Sequence, residues 1–248
     1  MASRSISSSV ALLAALVAAN PDVTAEEGLR KASKPADLAA PSAPGIHVDR
    51  LSQKQLRAWK AIEATVFATD ASGRLKHAKL CSLWQWVEKS GNLVHVELSD
   101  PMRNGDREAG KFLIEKSGFD GQKHIAVIRL CLRAIDEALV RKRVRGSGGF
   151  IRFEGLRKKE RYAEVLGHEL AHAVWALGDQ DHARLLEELN AEVEKFERSR
   201  RRALNGAVLD EQERQSLYRI EFLMTQIETP AKAAEAEVWK ELLESRGK

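Results

Sequence analysis

The stretch VLGHELAHAVWAL, residues 165–177, carries two histidines four residues apart with a glutamate beside the first. On a helix, positions i and i+4 share a face, so His168 and His172 can grip one ion. Glu169 sits about 100° round from His168. There its carboxylate could take a proton from a water at the ion's open position. Zinc suits this donor set, since it takes neutral imidazole nitrogens and carboxylates in a tetrahedron and keeps one position for water in a catalytic site. The flanks agree: Val165, Leu170, Ala171 and Val174 keep charge out of the helix, and Gly167 and Ala173 are small. A helix this apolar is expected to be buried, and burying its polar groups without partners costs about 2 kcal/mol or more each. A metal resolves that conflict. The competing reading is a buried helix whose histidines are satisfied by neighbouring carboxylates.

Those residues form the HExxH pattern of metal-dependent hydrolases, and HELAHAVW resembles the active-site helix of the zincin metallopeptidases. The specific resemblance covers about residues 150–178, with a weaker match near 228–235. The order of elements, helix and strands first and then helices, indicates an α+β domain with a mainly helical C-terminal part, and the resemblance implies that a small mixed β-sheet packs on the HExxH helix. It also implies that an edge strand of that sheet holds the peptide, with GFIRF (149–153) or LVHVEL (93–98) as candidates. The metzincin subclass is excluded, because Trp175 and Gly178 stand where its HExxHxxGxxH pattern needs glycine and histidine. Asp179, Asp181 and His182 lie just beyond the helix and are carried away from the metal without a glycine turn after His172.

What remains is a gluzincin-like arrangement, with the third zinc ligand a glutamate from a later helix. Glu228 followed by Ala231 is similar to the ExxA pattern of gluzincin ligand helices. The acid or amide usually found one turn after the ligand is replaced here by Lys232. Glu235, two turns along the same face, could support a histidine from behind or be the ligand itself, and Glu221 is the remaining candidate. Glu187, Glu188, Glu192, Glu194 and Glu197 fall in a strongly charged helix and read as a solvated face. Tyr218, Tyr162, His95 and His124 are available as oxyanion donors, and none is assigned.

The elements that must position these groups follow from periodicity. LSQKQLRAWKAIEATVFAT has helical spacing, with Leu56, Trp59, Ile62 and Val66 on one stripe and Ser52 as N-cap. LVHVELSD (93–100) alternates as a half-buried strand, and HIAVIRLCL (124–132) is a more buried one. A short strand spans Phe150 to Phe153. The HExxH helix runs from about Arg157 to Leu177 and stops at Gly178, a residue that tolerates a left-handed backbone. A second helix covers about Asp181 to Ala203. A third opens at Asp210 with Glu213 reciprocating the cap, and Pro230 either kinks it or starts a new helix with Thr229 as N-cap.

A length of 248 residues permits one fair-sized domain or two small ones. Residues 1–25 have the anatomy of a secretory signal peptide: Arg4, an apolar run from Val10 to Ala19, then small residues. Cleavage is placed after Ala19 or after Ala25. Residues 26–45, rich in proline and alanine, read as a flexible linker, and 46–248 as the zincin-like domain. In an oxidising compartment Cys81 and Cys131 could form a disulfide or remain core residues. The net charge is +4, with basic clusters at 141–145, 157–161 and 198–202. Each is interleaved with or followed by acidic helix, which describes solvated faces rather than a nucleic-acid site.

The expectation is therefore an exported zinc metallopeptidase, periplasmic or secreted. Its partner would be a peptide or protein substrate, with no nucleic acid and no membrane span once the signal is removed. Two alternatives use the same residues. One is a zincin-fold metal-binding module of the cell envelope without turnover, and the other is a metal-dependent amidohydrolase acting on a non-peptide substrate.

Overall fold

The computed structural model describes residues 44–48, 51–99, 109–113, 118–120, 123–137, 143–146, 149–204 and 210–245. The expected signal peptide and all but the last two residues of the expected linker lie outside them. Seven strands and six helices are described: β1 (Gly45–Val48), α1 (Gln53–Val66), α2 (Ala78–Ser90), β2 (Leu93–Ser99), β3 (Gly110–Phe112), β4 (Gly118–Asp120), β5 (Lys123–Cys131), α3 (Leu132–Glu137), β6 (Arg143–Gly146), β7 (Gly149–Arg152), α4 (Lys158–Gly178), α5 (Gln180–Leu204) and α6 (Glu211–Glu244). The fold is α+β, with a small mixed sheet and a mainly helical C-terminal part.

The main sheet runs β1-β2-β5-β3, and β4 also pairs with β5. β1, β2 and β5 are parallel, while β3 and β4 lie antiparallel to the two halves of β5. Val94, Val96 and Leu98 of β2 join Ala126, Ile128 and Leu130 of β5 in the core. The other sheet face carries the Glu97–Arg129 pair, with hydrogen bonds of 2.7 and 2.9 Å. β6 and β7 form a separate antiparallel pair. Neither sequence candidate is therefore an edge of the main sheet: LVHVEL is its interior strand and GFIRF belongs to the two-stranded one. The strand that ends the sheet near the HExxH helix is β3.

α4 is the centre of the core. Every residue from Glu160 to Ala173 is buried, and the helix packs against β3, β5, α1, α2, α5 and α6. The helix is enclosed on all sides, yet Glu160, Arg161, Glu164, His168, Glu169 and His172 are among its buried residues. Its end corrects the expectation of a left-handed glycine. Gly178 is the last helical residue and has no positive φ, and the chain leaves the helix through Asp179 in an extended conformation. The glycine is needed for space, since a β-carbon there would stand 2.7 Å from the Trp86 ring.

Caps form where sequence places them. Ser52 and Gln55 close a reciprocal cap on α1, and Asp210 and Glu213 do so on α6. In α1 the apolar stripe holds for Trp59, Ile62 and Val66, but Leu56 is 40% exposed. α2 has no local side-chain cap. Its Lys79 N–H donates instead to the Glu241 carboxylate of α6, at 2.9 and 3.0 Å. Cys81 and Cys131 are buried free thiols, so the possible disulfide is absent.

α6 is one continuous helix with Pro230 inside it. Thr229 is not a cap, and its hydroxyl donates to the Thr225 carbonyl at 2.7 Å. A proline in a helix interior lacks the N–H that would bond to the residue four back and crowds that carbonyl, at a cost of about 3 kcal/mol. Pro230→Ala is expected to raise the unfolding free energy by about 1–3 kcal/mol in urea titrations, and an unchanged or lower midpoint would refute this.

Candidate metal centre

Two helices meet at one point. His168 and His172 come from adjacent turns of α4, their ring centroids 5.0 Å apart and their planes at 79°. Glu228 comes from α6. One ligand atom from each of these residues lies within 4.8 Å of the others. His172 Nε2 is 3.2 Å from Glu228 Oε1, and His168 Nε2 is 3.8 Å from Glu228 Oε2. Donors around a tetrahedral zinc, with bonds of 2.0–2.1 Å, stand about 3.3 Å apart, so the spacing is close to that of a ligand set.

Glu235 takes the supporting role that was one of its two expected ones. Its Oε2 lies 3.0 Å from His168 Nδ1, which fixes that nitrogen as the protonated one and leaves Nε2 to point at the centre. His168, Glu169, His172, Glu228 and Glu235 are all buried. His168 Nε2, both ring nitrogens of His172 and Glu228 Oε2 have no hydrogen-bond partner among the described residues. Orphaned buried nitrogens and oxygens that converge are the condition a cation relieves. Two imidazoles and one carboxylate are a zinc-type donor set, whereas magnesium or calcium would favour more oxygens. The residues present therefore fit a zinc ion.

Burial pushes the His168 imidazolium down. The hydrogen bond to Glu235 and the charges of Glu169, Glu228 and Glu235 outweigh it, so its pKa lies above the ordinary 6.5. Burial raises Glu228, but its pairing with His172 and the nearby His168 and Lys232 hold it below the usual carboxylate value. Lys232 thus stands beside the ligand in the place where an acid was expected.

β3 closes the site on the sheet side. A β-carbon on Gly110 would stand 2.6 Å from Glu169 Oε1 and 2.6 Å from Val165 Cγ1, so only glycine lets β3 approach the Glu169 carboxylate. The next residues of β3 flank the ligands: the Phe112 ring is 6.1 Å from the His172 ring. The sequence reading missed Gly110, whose role depends on a helix more than fifty positions away.

The remaining candidates are placed elsewhere. Glu221 is not among the metal-ligating group, nor are Asp179, Asp181 and His182. His182 is buried near Trp175, with ring centroids 6.3 Å apart. Burial, then the charge of His172, lowers its pKa. The Tyr162 hydroxyl bonds to Asp136, Tyr218 is exposed and His95 sits in the interior strand β2. The His124 side chain lies outside the described residues. Glu188 and Glu192 are engaged with Arg219 and with Lys195 and Ser216 on the helix surface.

Comparison with protein-family models, with characterised proteins and with solved structures finds no match.

Two outcomes follow. Glu235→Gln is expected to lower zinc affinity about tenfold to a hundredfold with all three ligand residues intact, read by competition with a chromogenic chelator. An affinity equal to wild type would remove the supporting role. The raised His168 pKa adds a pH dependence. In the metal-free protein the His168 contribution to stability is present below its unfolded pKa and lost as pH rises through the higher folded value. Zinc must displace that proton, so the gap in Tm between zinc-loaded and metal-free protein should widen from about pH 5.5 to about pH 8. A gap independent of pH would contradict it.

Proposed function

We propose that this chain is a zinc-dependent metallopeptidase that hydrolyses peptide bonds, and that it acts outside the cytoplasm. The observation that carries the reading is the convergence of His168, His172 and Glu228, with the buried carboxylate of Glu169 on the same helix and Glu235 behind His168. A zinc ion held by those three residues would polarise the scissile carbonyl and acidify a water into a nucleophile near neutral pH.

The protein's own groups account for the rest. His168, His172 and Glu228 fix the position of the centre. Glu169, enclosed by Val165 and the close approach of Gly110, serves as general base for the water's proton and then returns that proton to the leaving amine. Its enclosure under β3 spares the reorientation that a solvent-exposed carboxylate would need. Glu235 holds the His168 tautomer. β3 ends the described sheet beside the ligands, and a peptide laid along this strand passes the centre in extended form. Export is part of the reading through the expected signal peptide. No described helix is long and apolar enough to cross a membrane.

The two alternatives differ from this reading in a single experiment. Protein carrying one zinc per chain, by elemental mass spectrometry, is incubated with a broad peptide library, alongside Glu169→Gln. The peptidase reading expects cleavage that stops with chelator and returns with zinc. It expects Glu169→Gln to keep its zinc and lose at least about 10²-fold in rate, the size of a general-base contribution. Full activity in that variant would overturn the role of Glu169. Absence of any cleavage by the zinc-loaded wild type would leave the binding module or the non-peptide amidohydrolase.

A further inference from the structure

Lys232 stands on the arc of α6 that carries both carboxylates of the centre. At 100° per residue it lies about 40° round from Glu228 and about 60° from Glu235. At 1.5 Å per residue it is about 6 Å along the axis from the first and about 4.5 Å from the second. That arc faces α4, because Glu228 meets His172 at 3.2 Å and Glu235 meets His168 at 3.0 Å. Lys232 is half-buried there, and its charge is among those that hold the Glu228 carboxyl below the usual value.

A fixed positive charge at this place acts on the empty and the filled centre in opposite ways. Glu169, Glu228 and Glu235 bring three buried carboxylates together. In the metal-free protein Lys232 offsets one of their charges, which lowers the cost of keeping them out of water. When a divalent cation enters, the lysine is still there and repels it. A glutamate is ionised near neutral pH without help from a lysine, so Lys232 is not needed to prepare Glu228 as a ligand. What it contributes to metal binding is repulsion. A unit charge within about 10 Å of a divalent ion weakens its binding more than tenfold at an effective dielectric of about 20. Lys232 is half-buried, so water and salt screen part of this, and about tenfold remains.

We propose that Lys232 is a built-in counter-charge that holds zinc affinity about tenfold below what His168, His172 and Glu228 alone would reach, and that keeps the empty centre stable. The proposal rests on the metal-centre reading of those three residues and is independent of the substrate. Zinc is then held reversibly, and loss of the ion leaves a folded protein able to rebind it.

The test uses the full chain stripped of metal by chelator. Lys232→Gln and Lys232→Met remove the charge, the second keeping the length of the stem, and Lys232→Arg keeps the charge. Lys240→Gln is the control, because Lys240 lies about two turns further along α6, is exposed and pairs with Glu244 at 3.8 Å. Zinc affinity is read by competition with a chromogenic chelator at low salt and at about 0.5 M salt. Thermal melting with and without zinc checks folding and gives the gap in Tm.

A folded neutral variant is expected to bind zinc about tenfold more tightly than wild type, with the gain reduced at high salt. Its metal-free form should melt below metal-free wild type, and zinc should raise its Tm by more. Lys232→Arg should stay close to wild type, and Lys240→Gln should match it. Equal or weaker zinc binding in the folded neutral variants, or tighter binding in Lys232→Arg as well, overturns the counter-charge and leaves the metal centre in place. Absence of zinc uptake by wild type and variants alike overturns both.

Discussion

The structure is organised around ionisable groups held out of water on and against α4. His168, Glu169 and His172 lie on a helix enclosed from Glu160 to Ala173, and α6 brings two further carboxylates, Glu228 and Glu235, to the same place. Burying ionisable groups is among the costliest arrangements a protein can hold. Without a cation the cluster relieves part of that cost by keeping a proton on His168 above its ordinary pKa. A divalent cation relieves more, because three carboxylates against two imidazoles leave negative charge in excess. The packing of sheet and helices about α4 keeps this balance from being settled by solvent.

Small residues make the close approach of α6 possible. Ala231 and Ala234 are buried between Glu228 and Glu235, and Gly167 on α4 lies so near Val238 that an added β-carbon would stand 3.4 Å from it. Two glutamates seven residues apart project from one face of α6 at two successive levels of α4. One reaches the front of the histidine pair and the other the back of His168. The same logic operates at Gly110, where the missing side chain admits the Glu169 carboxylate beneath β3. The site thus depends as much on absent side chains as on present ones.

What could be read from sequence was what is local. HExxH spacing placed His168, Glu169 and His172 on one helix, and the caps at Ser52 and Asp210 marked helix starts because their partners lie three residues away. The non-local features escaped. α2 has no local side-chain cap, because the acceptor for Lys79 N–H is Glu241 in another helix, so residues 78–90 carry no local start signal. β3 is three residues long, too short for alternation to register, so periodicity points only to longer strands. Glu228 and Glu235 could be ranked only by their alanine-rich surroundings and the ExxA likeness at Glu228, since sequence does not show which face of α6 meets α4.

The strongest rival to a metal centre is a set of histidines satisfied by carboxylates, and the geometry weighs against it. In such a network each imidazole nitrogen would sit in line with an oxygen at hydrogen-bond distance. That description holds for one contact, His168 Nδ1 with Glu235. On the inner side, His168 Nε2 is 3.8 Å from Glu228, beyond hydrogen-bond reach. His172 Nε2 approaches Glu228 to 3.2 Å without forming an aligned bond. The outer nitrogen of His168 is therefore hydrogen-bonded while the inner nitrogens converge with the carboxylate at separations suited to ligands that share an ion. The inner atoms of His168, His172 and Glu228 could hold a metal ion, and that is the ground on which the proposed metal centre stands against a purely structural network.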